Sequence, residues 1–315
     1  MNRRGAVAIA VAMMAVGAGA AAEAAAKQYA QPVVTQKPTR GWRQRGEIHD
    51  VTPRWRANYD QAMAGTLRRP RGADNVVVLN VPGVMGNQMP GYFRGAEQHL
   101  DGQGYARERG EIHTLDDLEP NAAALAAQAR RHIRAGKDVI FLPHSYGGPV
   151  AMAAALKLVL DDPTCISHIR GFAFEQSALG GVPGSSLMNN PMAWLGLRAA
   201  RARGGLFRDL SPQKMKPELT RALATLSSIP MLTLATSAEG KGGVRGKIGR
   251  VLARGKETDG AVPKWSQMIR GTHAVILDDM DHGEPVFDLP GRKYEQGPLA
   301  ESLIVTMMGL PRPGR

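Results

Sequence analysis

The stretch from Asp138 to residue 160 constrains the fold of this chain more than any other. Val139-Ile-Phe-Leu142 is apolar at every position, so as a strand it must be buried on both faces. It runs into Pro143-His-Ser-Tyr-Gly-Gly148 and then into small and apolar residues, 149–160, over a helical length. Such a strand needs neighbours on both edges and a helix folded back upon it. That is the βα unit of a parallel sheet.

The rest of the chain repeats the alternation. Val76-Val-Val-Leu-Asn-Val81 reads as another buried strand, ended by Pro82-Gly83, and a weaker strand is expected near 106–113. An Ala-rich amphipathic helix over 121–135 closes at Gly136. Ile169-Arg-Gly-Phe-Ala-Phe174, Pro230-Met-Leu-Thr-Leu-Ala235 and His273-Ala-Val-Ile-Leu277 supply three more strands, and a helix near 299–308 follows. The expected fold is α/β, a mostly parallel central sheet with helices on both faces. With 43% apolar residues the chain can build a substantial core, and its one cysteine, Cys165, excludes an intramolecular disulfide.

The connection between the strands at 169–174 and 230–235 is far longer than an ordinary crossover. Within it, residues 191–203 read as an amphipathic helix with Met192, Leu195 and Ala199 on one face. A helical lid or cap insertion is expected over about 178–228, above the carboxyl ends of the strands. Arg3 and Arg4 precede an uncharged stretch, 5–22, with small-residue cleavage positions after Ala22, Ala24 or Ala26. Residues 1–26 are therefore expected to be a signal peptide and the chain to be exported, periplasmic or secreted. Residues 27–73 read as a polar N-terminal extension with a short helix near 55–66, and 74–315 as one domain carrying the insertion.

The formal net charge is +12, with basic clusters at 40–56, 198–216 and 241–256, the last holding six basic residues and no acidic one. This reads as a solvated arginine-rich surface or as attraction to an anionic membrane surface. No nucleic-acid module is recognised, so no nucleic-acid partner is expected. Oligomeric state is not legible.

Ser145 sits where a buried strand turns into a glycine-led helix, the layout of a nucleophile elbow. A strained turn exposes the hydroxyl, and the helix N-terminus favours negative charge developing there. Gly147 and Gly148 omit side chains where the helix must pack back on the strand. A serine nucleophile needs a base, an orienting acid and donors for an oxyanion. His282, in Asp278-Asp-Met-Asp-His-Gly283 after the last strand, is the candidate base. His144 adjoins the serine, but its side chain should point elsewhere on the turn. Asp259, in Glu257-Thr-Asp-Gly-Ala-Val-Pro263, is the candidate acid, with Glu239 beyond the strand at 230–235 as its competitor. The glycine-containing turn Val81-Pro-Gly-Val-Met-Gly-Asn87 offers the backbone N–H of Val84, with Met85 as the neighbouring possibility. The backbone N–H of Tyr146 is the second donor.

Pro82-Gly-Val-Met-Gly86, His144-Ser-Tyr-Gly-Gly148, Asp259-Gly-Ala-Val-Pro263 and Asp281-His-Gly283 together resemble lipases and esterases of the α/β-hydrolase superfamily. Phe207-Arg-Asp-Leu-Ser-Pro212 is similar to a segment that follows the lid in several of them. The resemblance spans roughly residues 75–285. Pro143 departs from the usual glycine two positions before the nucleophile, and Pro82 from the usual histidine of the oxyanion loop. The resemblance implies an α/β-hydrolase fold and a triad of Ser145, His282 and Asp259, with oxyanion donors at Val84 and Tyr146. It also implies hydrolysis of small-molecule or lipid carboxylic esters through an acyl-enzyme, without metal or organic cofactor. The same site would serve a phospholipase, thioesterase or acyltransferase, and a non-catalytic lipid- or ligand-binding homologue is the alternative outside enzymes.

Overall fold

The computed structural model describes residues 47–182, 208–238, 257–289 and 292–312. The expected signal peptide, the helix at 191–203, the basic run at 241–256 and Glu239 lie outside the described residues.

Seven strands form one sheet: β1 (His49–Asp50), β2 (Val76–Val81), β3 (Ala106–Arg109), β4 (Asp138–Pro143), β5 (Ile169–Glu175), β6 (Met231–Thr236) and β7 (His273–Leu277). Their spatial order is β1-β7-β6-β5-β4-β2-β3, and every pairing is parallel. Side chains alternate across the sheet, so each apolar strand feeds two cores. Val77, Leu79, Val139, Phe141, Phe172 and Phe174 pack on one face against α3 (Leu118–Arg134), α4 (Gly147–Asp161) and α5 (Pro212–Thr225). Val78, Ile140, Leu142, Ala173, Leu234 and Val275 pack on the other against α1 (Thr52–Met63), α2 (Arg94–Gly102) and α7 (Gln296–Met308). The short helix α6 (Lys264–Gln267) lies before β7. Among the described residues no helix is long and apolar enough to cross a membrane.

Two sequence expectations shift. The weak strand stops at Arg109 because the chain turns there: Gly110 N–H still reaches Asn80 O, but Ile112 N–H bends back to Gly110 O. The early helix starts at Thr52 rather than near 55, with Asp50 accepting the Thr52 N–H and Pro53 in its first turn, where a missing N–H costs nothing. Within the expected insertion, α5 places Leu219 and Ala222 in the core beside α4. Val182 N–H donates to Leu210 O at 2.8 Å. Asp209 then accepts the Leu118 N–H at 2.9 Å and pairs with Lys214. This anchorage lies at the carboxyl ends of the strands, beside Ser145, whose carbonyl accepts the Ala178 N–H.

Candidate active site

The elbow is built by both neighbouring strands. Beyond β4, His144 N–H donates to Val81 O of β2 at 3.0 Å, and Ser145 N–H donates to Glu175 O of β5 at 3.1 Å. The chain must then reverse into α4. Ser145 does so at φ +55°, in the left-handed region, where a residue with a Cβ carries roughly 1–2 kcal/mol of strain. The turn closes as Gly147 N–H reaches His144 O. A Cβ on Gly147 would fall well inside contact distance of Val81 O, so glycine is required for the helix to sit this close to the strand. Ser145 is half-buried amid fully buried neighbours, its hydroxyl at the head of α4.

His282 reaches the serine from the loop after β7. Its Nε2 lies 2.9 Å from Ser145 Oγ and its Nδ1 lies 2.7 Å from Asp259 Oδ2. The base loop is fastened to the acid loop through His282 N–H to Asp259 O at 3.0 Å, and to the end of β6 through Met280 N–H to Ser237 O. Burial opposes a charge on His282. The Asp259 charge and hydrogen bond, with Asp281 nearby, outweigh it and hold the imidazole above its ordinary value.

Asp259 is wholly buried. Its carboxylate is supported by four donors: Oδ1 accepts the N–H groups of Ala261 and Val262 at 2.9 and 2.8 Å, and Oδ2 accepts Gln267 Nε2 at 3.0 Å beside the imidazole. A buried carboxylate is tolerable on such terms, because each lone pair lost to water is replaced. Gln267 is itself fixed, its Oε1 accepting the Thr236 N–H at 2.8 Å. Lys264 pairs with Asp278 and Glu257, tying the acid loop to the base loop a second time.

In the turn after β2, most N–H groups have partners. Gly83 donates to the Tyr92 hydroxyl at 2.8 Å, Met85 to Thr114 O at 3.4 Å and Gly86 to Gly83 O at 3.0 Å. Val84 N–H and Tyr146 N–H meet no acceptor among the described residues. Of the two neighbours Val84 and Met85, the one whose N–H meets no acceptor among the described residues is Val84. An ideal Cβ on Gly83 would lie 2.8 Å from Ser145 Cβ, which shows how closely this turn is laid against the serine.

The structure thus brings Ser145, His282 and Asp259 into one hydrogen-bonded line, with Val84 and the backbone of Tyr146 in the two loops flanking the serine. Such a line can draw a proton from the hydroxyl into an imidazole oriented by a carboxylate. Four further residues also hold it, and three of them, Gln176, Gln267 and Tyr92, were not singled out from the sequence. His144, as expected, points away from Ser145 Oγ. Its Nε2 donates to His282 O at 2.9 Å. Gln176, at φ +46° just past β5, donates to Thr236 Oγ1 at 2.6 Å and to Asp281 O at 3.1 Å. Gln267 and Tyr92 complete the set. A polar residue at the carboxyl end of a buried strand was a usable signal for Gln176. Nothing in the local sequence marks Tyr92.

In overall structure the chain is similar to the metagenomic carboxyl esterase MGS0156, with a TM-score of 0.66 at 17% identity over 82% of this chain and 92% of that one. The chain has the α/β-hydrolase fold. The mature Bacillus licheniformis lipase BlEst2 is a second structural neighbour, with a TM-score of 0.58 at 18% identity, covering 76% of this chain and 94% of the lipase. The propeptide form of the same lipase matches at a TM-score of 0.53, over 68% of this chain and 48% of that one. No family model matches the sequence, and no curated protein does.

Proposed function

We propose that this α/β-hydrolase fold is a serine hydrolase that cleaves carboxylic esters through an acyl-enzyme. One observation carries the reading: Ser145 Oγ, His282 and Asp259 lie in a hydrogen-bonded line of 2.9 and 2.7 Å beside two backbone N–H groups that meet no acceptor among the described residues. Ser145 Oγ attacks the ester carbonyl as His282 Nε2 takes its proton. Asp259 holds the imidazole through Nδ1 and stabilises its charge. The N–H groups of Val84 and Tyr146 receive the developing oxyanion, aided by the N-terminus of α4. His282 returns the proton to the leaving alcohol. Water then attacks the acyl-enzyme with His282 again as base. The carboxyl esterase and the lipase of similar fold support ester substrates. Export rests on the charged, then uncharged, pattern of residues 1–26.

Ser145→Ala is expected to lower turnover of nitrophenyl esters, tested from acetate to palmitate beside a phospholipid, by roughly 10⁴–10⁶. It should also abolish labelling by a fluorophosphonate while the melting transition is retained. Undiminished hydrolysis by a folded Ser145→Ala variant sinks the assignment. An unlabelled and inactive wild type leaves a ligand-binding protein instead.

A further inference from the structure

Behind the serine, a second line of hydrogen bonds joins the two loops that would serve the reaction. Tyr92 Oη accepts the Gly83 N–H at 2.8 Å and lies 2.6 Å from His144 Nδ1, while His144 Nε2 lies 2.9 Å from His282 O. Tyr92 and His144 are buried, at 3% and 2% exposed.

The partners dictate the protons. A backbone carbonyl can only accept, so His144 carries its hydrogen on Nε2, with Gln176 Oε1 a further acceptor at 3.3 Å. In the neutral ring Nδ1 is then an acceptor, and the Tyr92 hydroxyl is the donor that satisfies it. The phenol spends its hydrogen there and offers a lone pair to Gly83. Every atom has one role, and none can change it without orphaning a buried group. Burial, and charge on the neighbouring His282, keep His144 well below the ordinary imidazole value, so the ring stays neutral. Burial likewise raises the Tyr92 phenol above its ordinary range. Phe93 and Phe287 hold the Tyr92 ring by edge contacts at centroid distances of 4.9 and 5.0 Å.

We propose that Tyr92 and His144 are positioning residues for the reaction: together they set the oxyanion turn and the base loop against one reference, the elbow itself. By taking the Gly83 N–H, Tyr92 turns that peptide so that the next N–H, of Val84, is the open one. By holding the His282 carbonyl, His144 fixes the backbone from which the base is presented. Neither residue touches the reacting atoms. This rests on the serine-hydrolase reading above and adds to it how the oxyanion donor is held.

The test is Tyr92→Phe in the full chain, which keeps the ring and removes the hydroxyl. After correction for active fraction by fluorophosphonate titration, kcat on nitrophenyl butyrate is expected to fall about 10–10²-fold with KM changed no more than about 3-fold. Affinity for an alkyl boronic acid, which forms a tetrahedral adduct on Ser145, should fall by the same factor as kcat. The acid limb of the kcat/KM profile should not move, since His282 and Asp259 are untouched. A folded variant with normal kcat and boronate affinity overturns the proposal, as does a loss confined to melting temperature. Nitrogen NMR of histidine-labelled wild type gives a check that needs no variant: one imidazole must stay neutral and Nε2-protonated from about pH 6 to pH 9. A charged or Nδ1-protonated ring at position 144, identified by its loss in His144→Gln, also overturns it. If the wild type neither labels nor hydrolyses esters, the serine-hydrolase reading and its positioning roles fall together. If it does both and Tyr92→Phe is indistinguishable from it, only the positioning role falls.

Discussion

At the scale of single residues, the proposed chemistry makes the ionisation of His282 measurable. The base must be neutral to take the Ser145 proton, and Asp259 holds its imidazole above the ordinary value of 6.5 against the opposing effect of burial. The kcat/KM of the free protein should therefore fall as pH drops, with its midpoint above 6.5. Asp259→Asn removes the charge that causes the shift. Its midpoint should move down, and kcat should fall about 10⁴-fold as the imidazole loses its orienting partner. A pH–rate profile of both proteins decides this, and an unmoved midpoint in Asp259→Asn would refute the cause given for the shift. Gln267 acts one bond further out. Replacing it by leucine takes one of four donors from the buried carboxylate and leaves the Thr236 N–H unpaired, which should cost about 1–3 kcal/mol in urea unfolding.

At the scale of elements, the site depends on how closely α4 approaches β2. Gly147→Ala puts a methyl group against the Val81 carbonyl, a backbone atom that cannot swing away. Overpacking of this kind costs about 1–3 kcal/mol, and the strain falls on the turn that carries Ser145. The variant should lose both stability and serine labelling, whereas Asp209→Ala, which takes the acceptor from the Leu118 N–H and the partner from Lys214, should cost about 1 kcal/mol and leave labelling intact. Denaturant midpoints and labelling rates separate the two. The same contrast explains what could be read in advance. β2, β4, β5, β6 and β7 are largely buried on both faces, so mostly apolar runs announce them. β3 alternates exposed and half-buried over Ala106–Arg109, a charged edge with a weak signal, and β1 is two residues that contribute little beyond main-chain pairing. Strand order is set by crossovers and carries no local mark. Position beyond a strand and turn composition singled out the three side chains now found in line. Tyr92 escaped because its partner, His144, lies 52 positions away and neither the period nor the turn type around it points there.

At the scale of the whole molecule, two buried groups on the site's rear face give stability opposing dependences on pH. Glu175, at the end of β5, is 1% exposed, and neither carboxyl oxygen has a hydrogen-bond partner among the described residues. Desolvation raises its value well above the ordinary 4.5, so the folded chain keeps the proton that the unfolded chain gives up. Stability therefore falls as pH rises from 4.5 towards the raised value. His144 has the reverse sign. Burial keeps it neutral in the fold while the unfolded chain protonates below 6.5, so stability falls as pH drops from there. The two groups therefore act in opposite directions, and the raised imidazole of His282 adds to the loss above 6.5. Glu175→Gln keeps the shape and removes the ionisation. It should unfold at higher urea than the wild type at about pH 8, the advantage shrinking towards zero near pH 4.5. Urea midpoints of both proteins across that range test it, and an advantage independent of pH would mean that Glu175 is ionised in the fold and solvated by groups that its geometry does not reveal.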